Sequence, residues 1–243
     1  NEAIMELSHN VLNRRVFKQK ILDNHIKNFM LGKTQRFLSK KLNTIDVGAA
    51  VGMYTSFFAK YSNHVFAFEA VPPVYDQLKR VEEKKKNITA YNNAVSDKVG
   101  TFKFYVDDKR LSNSGFQNLV DGIPIDVESV TIDSMTFSNV GFIKIDTEGT
   151  ELDVLNGAIE TIDRNRPSCM VEIYYKFNKQ PVSLTFDFFF DRKYRCFYNE
   201  KNNQKLHEVH DVAHGVEVSS SEEMLSIHDG DFLFIPEEIY DFS

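Results

Sequence analysis

Apolar and polar residues change their spacing several times along this chain, and each change marks an element. From Ile4 to about Leu42 the apolar positions follow a helical rather than an alternating pattern, with no proline and with Gly32 as a natural break. Beyond it the pattern predicts a strand at 44–47, a helix at 53–60 carrying Phe57, Phe58 and Ala59, a strand at 64–69, a helix at 73–85 and a strand at 88–95. Residues 100–106 alternate, as a half-exposed strand or hairpin arm does. Residues 107–124, rich in Ser, Asn and Gly, read as one long loop, and loops of that length are often functional. A strand at 141–146 leads into a helix at 151–164, where Leu152, Leu155 and Ile159 keep helical spacing. A strand at 168–174, a helix around 182–192 and strands near 195–198 and 231–235 complete the series. Strands and helices in strict alternation predict an α/β fold, a doubly wound and mostly parallel sheet over residues 43–243, preceded by an N-terminal helical segment at 1–42.

Composition narrows this only a little. A chain of 243 residues with 42% hydrophobic and 26% charged residues is a globular domain able to bury a sizeable core. The net charge of −6 argues against a general nucleic-acid binder. That charge is uneven: residues 1–42 hold nine Lys or Arg against three acidic residues, about +6, which leaves about −12 for the rest. The basic segment reads as a solvated face in preference to a polyanion contact. Cys169 and Cys196 lie in apolar, strand-like stretches and read as small buried hydrophobes, with neither a disulfide framework nor zinc spacing. No signal peptide is visible and no apolar run is long enough to span a bilayer, so a cytoplasmic location is the expectation. Because the chain starts at Asn1 and not at Met, we expect it to have been trimmed from something longer.

Two segments carry the chemistry. The first is IDVGAAVG, from Ile45 to Gly52. A phosphate-binding P-loop needs Lys and then Ser or Thr after its last glycine, but Met53 and Tyr54 follow here. A dinucleotide fingerprint needs a third glycine, which is missing. What remains around Asp46, Gly48, Ala49 and Gly52 is a tight turn whose backbone N–H groups can meet a small anion at a helix N-terminus, such as the carboxylate of S-adenosylmethionine. Glu69 ends the second strand, 21 residues past Gly48, where an acidic side chain can take both hydroxyls of a ribose. Asn93 and Ala94, ending the third strand, would lie along the adenine.

The second segment, FIKIDTEGTELDVL from Phe142 to Leu155, places acidic residues where the fourth strand stops. Ligands of open parallel sheets sit at the carboxyl ends of the strands near the switch in strand order, so both segments point to one shared site.

Read in order, IDVGAAVG, VFAFEAVP, NAVSDKVGTFKFYV, VTIDSM, KIDTEGTELDVLNGA and RPSCMVEI resemble the FkbM-type S-adenosylmethionine-dependent methyltransferases. The likeness covers roughly residues 44–175, and the Lys-Ile-Asp-x-Glu-Gly element is its most specific part. It implies a class I, Rossmann-like methyltransferase domain with a seven-stranded sheet, usually an O-methyltransferase of sugars or secondary metabolites. Under it the donor-binding set is Asp46, Gly48, Ala49, Gly52, Tyr54, Glu69, Ala70, Asn93, Ala94 and Asp146. Ala70 departs from the proline that commonly follows the ribose-binding Glu, and Ala50 from a frequent Asn.

Methyl transfer is an in-line displacement, mainly a task of orientation, and a hydroxyl acceptor must also lose its proton. Asp146 is expected to orient donor and acceptor. Lys144, two residues earlier, lies on the same strand face, and a lysine in an apolar central strand needs a partner such as Asp146 or Glu172. A buried ion pair that only shapes the sheet and a catalytic role are both open for it. Glu172, ending the fifth strand, or the Lys144 pair would handle the proton. Glu148 and Glu151 open the next helix, where its dipole favours negative charge, and Glu151 reads as a cap. The spacing of Asp146 and Glu172 does not by itself support a metal. His207, His210, Asp211 and His214 fit one helical face but no familiar metal signature, and read as a polar surface segment. The expected acceptor is a hydroxyl of a sugar, glycan or small metabolite. An RNA ribose 2′-hydroxyl is the alternative acceptor, and a non-catalytic module retaining the fold is the other reading.

Overall fold

The computed structural model describes residues 32–106, 123–173, 178, 180–199, 206–209 and 230–239. In chain order its elements are β1 (Asn43–Val47), α1 (Met53–Tyr61), β2 (Val65–Phe68), α2 (Pro72–Glu82), β3 (Ile88–Tyr91), β4 (Ala94–Val95), β5 (Gly100–Val106), β6 (Ile123–Val130), β7 (Val140–Ile145), α3 (Glu151–Asn156), α4 (Ile159–Asn165), β8 (Ser168–Glu172), α5 (Ser183–Phe190), β9 (Tyr194–Asn199), β10 (Leu206–Val209) and β11 (Asp231–Pro236).

The main sheet runs β10-β9-β11-β8-β7-β1-β2-β3. Its β8-β7-β1-β2-β3 half is parallel, whereas β11 is antiparallel to both β8 and β9, and β10 to β9. Strand order reverses at β1, which has β2 on one side and β7 on the other. The doubly wound expectation holds, but the sheet has eight strands and not seven. The extra strand is β10, so His207 stands on an edge strand, packed against Tyr198 with the rings tilted and their centroids 5.6 Å apart, and not on a helix. His210, Asp211 and His214 lie outside the described residues.

The central strands are buried along nearly their whole length because layers cover both faces. Ile45, Val47, Ile143, Ile145 and Val171 share one apolar cluster with Val154 and Leu155 of α3, Ile162 of α4 and Phe186 and Phe189 of α5. Phe142 and Met170 belong to a second cluster with Phe58 of α1, Leu233 of β11 and Phe37. Burial of each such side chain contributes about 1.5–3 kcal/mol. Cys169 and Cys196 are buried and unpaired. Among the described residues no helix is long and apolar enough to cross a membrane. Of the expected N-terminal helical segment, 32–34 are helical and Gln35–Phe37 form a 3-10 turn, while residues 1–31 lie outside the described part.

Three expectations change. The strand expected over 88–95 is two strands: β3 stays in the main sheet, and the chain turns at Asn92 and Asn93 into β4 of a separate sheet ordered β4-β6-β5. That sheet includes β6, in a stretch whose first residues read as loop. Pro124, Asp126 and Glu128 are its exposed positions, while Ile125 and Val127 pack with Phe104, Val106, Val71 and Val74. Finally, the helix expected over 151–164 is broken. Gly157 passes so close to the chain after β4 that a Cβ there would lie 2.1 Å from the Ser96 carbonyl oxygen. The second piece, α4, is capped from outside, with Asp133 accepting from the Glu160 and Thr161 N–H groups at 3.0 and 2.8 Å.

Candidate active site

The turn after β1 is built on left-handed backbone. Gly48 has φ 70°, Ala50 φ 48° and Gly52, which caps α1, φ 81°. Gly48 also touches the end of β7, since a Cβ there would lie 1.8 Å from the Asp146 carbonyl oxygen. Only glycine meets both demands. The turn is tied to β2 by the Ala49 N–H, which donates to Phe68 O at 2.9 Å, and closed by the Gly52 N–H, which donates to Ala49 O at 2.9 Å.

Glu69 sits against this turn. Its carboxylate accepts from the Ala50 N–H at 3.0 Å and the Val71 N–H at 2.8 Å, so one side chain fixes the loops after β1 and β2 together. Burial outweighs these two bonds and lifts its pKa from 4.5 to about 7. Asn92, which sequence reasoning passed over, donates to Glu69 O at 2.9 Å and Ala70 O at 3.2 Å. Ala70 is partly buried there, Ala94 is buried in the small sheet, and Asn93 donates to Glu128 O at 3.3 Å.

Beneath the turn lies a buried polar knot. Asp46 and Lys144 are register partners on β1 and β7, and both side chains face α1. Asp46 is fully buried, and Thr55 Oγ1 donates to its Oδ2 at 2.5 Å. Lys144 Nζ lies 3.6 Å from Asp46 Oδ1 and donates to Gly48 O at 3.3 Å and Asp146 Oδ2 at 3.1 Å. It also stands 4.9 Å from the centre of the Tyr54 ring. Burial alone would lower the lysine pKa, but Asp146, Asp46 and Glu172 together hold it above its ordinary value. For Asp46, burial prevails over Lys144 and Thr55 and the carboxyl pKa rises. Asp46 thus supports the turn from below and does not face the cleft.

Across β7 the character changes. Asp146 is 28% exposed, with Glu148 and Glu172 beside it; one carboxylate oxygen from each of the three lies within 4.8 Å of the others. Asp231, the register partner of Glu172 on β11, adds a fourth acidic residue that no local pattern marked. Burial first, then Asp146, Asp231 and Glu148, push the Glu172 carboxyl well above the usual carboxylate range. Burial and then Asp231, Asp146, Glu172 and Asp46 do the same to the Tyr54 phenol. Glu151 is 1% exposed and accepts from the Gly149 N–H at 2.9 Å and the Thr147 hydroxyl at 3.2 Å, so it braces the loop after β7. The structure therefore brings the turn, Glu69, Tyr54, Lys144, Asp146 and Glu172 to the carboxyl ends of neighbouring strands.

A glycine turn, a ribose-spaced Glu and a strand-end Asp on this topology suit a nucleoside-bearing donor. The structure of a methyltransferase FkbM from Methylobacillus flagellatus KT superposes with a TM-score of 0.53 at 16% identity, over 81% of this chain and 44% of that one. This chain thus spans under half the length of that protein, and at such identity the likeness concerns the fold. An rRNA methylase from Streptococcus thermophilus gives 0.42 at 12% identity, over 85% and 92% of the two chains. A SAM-dependent O-methyltransferase from Thermotoga maritima gives 0.42 at 12%, over 85% and 62%. No curated protein matches the sequence. The methyltransferase FkbM domain matches residues 46–204, from the buried Asp46 through the whole of β9, and with well over half its length so matched the chain belongs to the FkbM methyltransferase family.

Proposed function

We propose that the chain is an S-adenosylmethionine-dependent O-methyltransferase acting on a hydroxyl of a sugar, glycan or small metabolite. The observation that carries this reading is the meeting of the left-handed turn, Glu69 and Asp146 at the switch in strand order. The residues fit the donor. With the Ala49, Ala50 and Gly52 N–H groups already bonded within the protein, those of Gly48 and Val51 suit its carboxylate, and Glu69 suits both ribose hydroxyls. Ala70, Asn93 and Ala94 border the adenine side, and Tyr54 and Asp146 the side of the ammonium and sulfonium. When bound, the donor supplies a methyl group on a sulfonium: the acceptor oxygen's lone pair forms the new bond to carbon, and the carbon–sulfur pair returns to sulfur.

The chain's own residues do the rest. Lys144, kept cationic between Asp46 and Asp146, positions the turn and the end of β7 relative to each other and does not take a proton. Asp146 orients the acceptor, and the Glu172 carboxylate beside it receives its proton. Four carboxylates on the reacting side weigh against a polyanion, hence against an RNA acceptor. Calorimetric titration with S-adenosylhomocysteine, followed by radiolabelled methyl transfer to a panel of hydroxyl acceptors, tests the reading. Saturable binding is expected, with turnover falling at least about a hundredfold in Asp146→Ala and Glu172→Gln. Near-normal turnover in both variants removes the assigned roles. Failure of the folded wild type to bind removes the donor, and binding without transfer to any acceptor leaves the non-catalytic reading.

A further inference from the structure

We infer that Asn92 is a positioning residue for the donor: its side-chain amide fixes the backbone of Glu69 and Ala70 and so sets where the Glu69 carboxylate stands. The inference rests on the donor reading above and adds to it a residue that the reading leaves without a role.

Glu69 is held from two sides. Its carboxylate reaches back to the turn after β1, accepting from the Ala50 N–H at 3.0 Å, and takes the Val71 N–H at 2.8 Å. Its backbone reaches the other way. The Glu69 N–H donates to Tyr91 O at 3.0 Å, just past the last β2–β3 register pair of Phe68 with Tyr91. Continued as a parallel ladder, the chain would next bring the Asn93 N–H to Glu69 O. It is already leaving for the small sheet, where Asn93 Nδ2 donates to Glu128 O at 3.3 Å and Ala94 pairs with Ser129. The Asn92 side chain donates instead, to Glu69 O at 2.9 Å and to Ala70 O at 3.2 Å. An amide nitrogen carries two hydrogens, so the two carbonyls use both, and a carboxylate at this position could serve neither.

The departure of β3 that makes the small sheet possible thus strands the Glu69 carbonyl, and Asn92 restores its donor. With its N–H and its carbonyl both tied to the end of β3, Glu69 keeps only its side-chain torsions, and its carboxylate is pre-organised for the ribose hydroxyls. Asn92 is itself exposed, so removing its amide costs little packing.

Calorimetric titration of the whole chain with S-adenosylhomocysteine tests this in Asn92→Ala, Asn92→Asp and Asn87→Ala. Asn87 clamps the start of β3 with the same chemistry, its Nδ2 donating to Ala59 O at 2.9 Å, so its loss should lower stability without moving donor affinity. Asn92→Ala should raise the dissociation constant about tenfold, as loss of one or two hydrogen bonds does, with acceptor KM and saturated turnover held within about twofold. Asn92→Asp should weaken binding as much and also move its pH dependence. Asp146 and Lys144 already act on Glu69, the first raising its pKa and the second lowering it. A carboxylate at position 92 adds to the first, so tight binding should set in at a higher pH than in the wild type. Lost stability alone moves no such midpoint. Folded Asn92 variants that bind as the wild type does overturn the inference and leave the donor reading standing, as does an equal loss in Asn87→Ala. A wild type that does not bind removes both together.

Discussion

On the β1–β2 side of the switch point, the candidate site is written in the backbone. Gly48, Ala50 and Gly52 set the turn through positive φ, and Glu69 answers two N–H groups. On the β7–β8 side it is written in side chains, with Asp146, Glu148, Glu172 and Asp231 gathered near one buried lysine. A backbone site depends on a few positions where a Cβ cannot fit and ignores most other side chains. A carboxylate site depends on charge balance, so it can be retuned by a single substitution. On the proposed reading the donor end can therefore stay fixed while the acceptor end varies, and Lys144 ties the two together through Gly48 and Asp146.

Removing that link should have the largest effect. Lys144→Met leaves Asp46 fully buried with only Thr55 for company, so a loss of about 3–5 kcal/mol is expected from the shift in denaturation midpoint. Adding Asp46→Asn to Lys144→Met should restore part of it, because the stranded charge is gone. A double variant no more stable than the single one would show that Lys144 acts by packing, not by charge.

Glu69 offers a sharper contrast between the two sides, because burial is the first cause of its shift and Asp146 only adds to it. Its pKa is raised from 4.5 to about 7, so the folded protein holds the proton more tightly than the unfolded chain. The associated stability is fully present below about pH 4.5 and is lost as pH rises through about 7. Donor binding should run the opposite way, since ribose hydroxyls donate to the ionised form. Between about pH 6 and about pH 8 the dissociation constant for S-adenosylhomocysteine should fall about tenfold, and Glu69→Gln should flatten that dependence. A flat profile in the wild type would separate Glu69 from the donor.

The β1–β2 side was the more legible in the sequence for the same reason. Gly48, Gly52 and Glu69 stand at fixed distances along consecutive elements, so a linear pattern captures them. Lys144 and Asp146 followed from strand period and from the improbability of an unpaired lysine in an apolar strand. Asp231 did not, because only the antiparallel insertion of β11 beside β8 brings it to Glu172. Thr55 and Asn92 are ordinary polar residues until the register places them against Asp46 and the chain after β2. The break at Gly157 was hidden too, since helical spacing on either side of it is intact and the obstacle is the distant Ser96 carbonyl. The split of the third strand and the missed β6 share one cause: a second small sheet draws residues away from the first.

The smallest effect should come from Ala50, the one residue of the turn that is neither glycine nor suited to its backbone. It is exposed at φ 48°, where an L-residue other than Asn, Asp or Gly is strained. Glycine would relieve the strain but would lose more freedom on folding, so much of the gain would cancel. Asparagine tolerates this backbone without that penalty, and Ala50→Asn should stabilise the protein by about 0.5–1 kcal/mol, seen as a higher denaturation midpoint. Because the turn keeps its shape, donor affinity should hold within about twofold. A stability gain accompanied by a larger change in donor affinity would mean that the strain at Ala50 is itself tuned for binding, and the division between a backbone-built and a side-chain-built half would fail where it is most exposed to test.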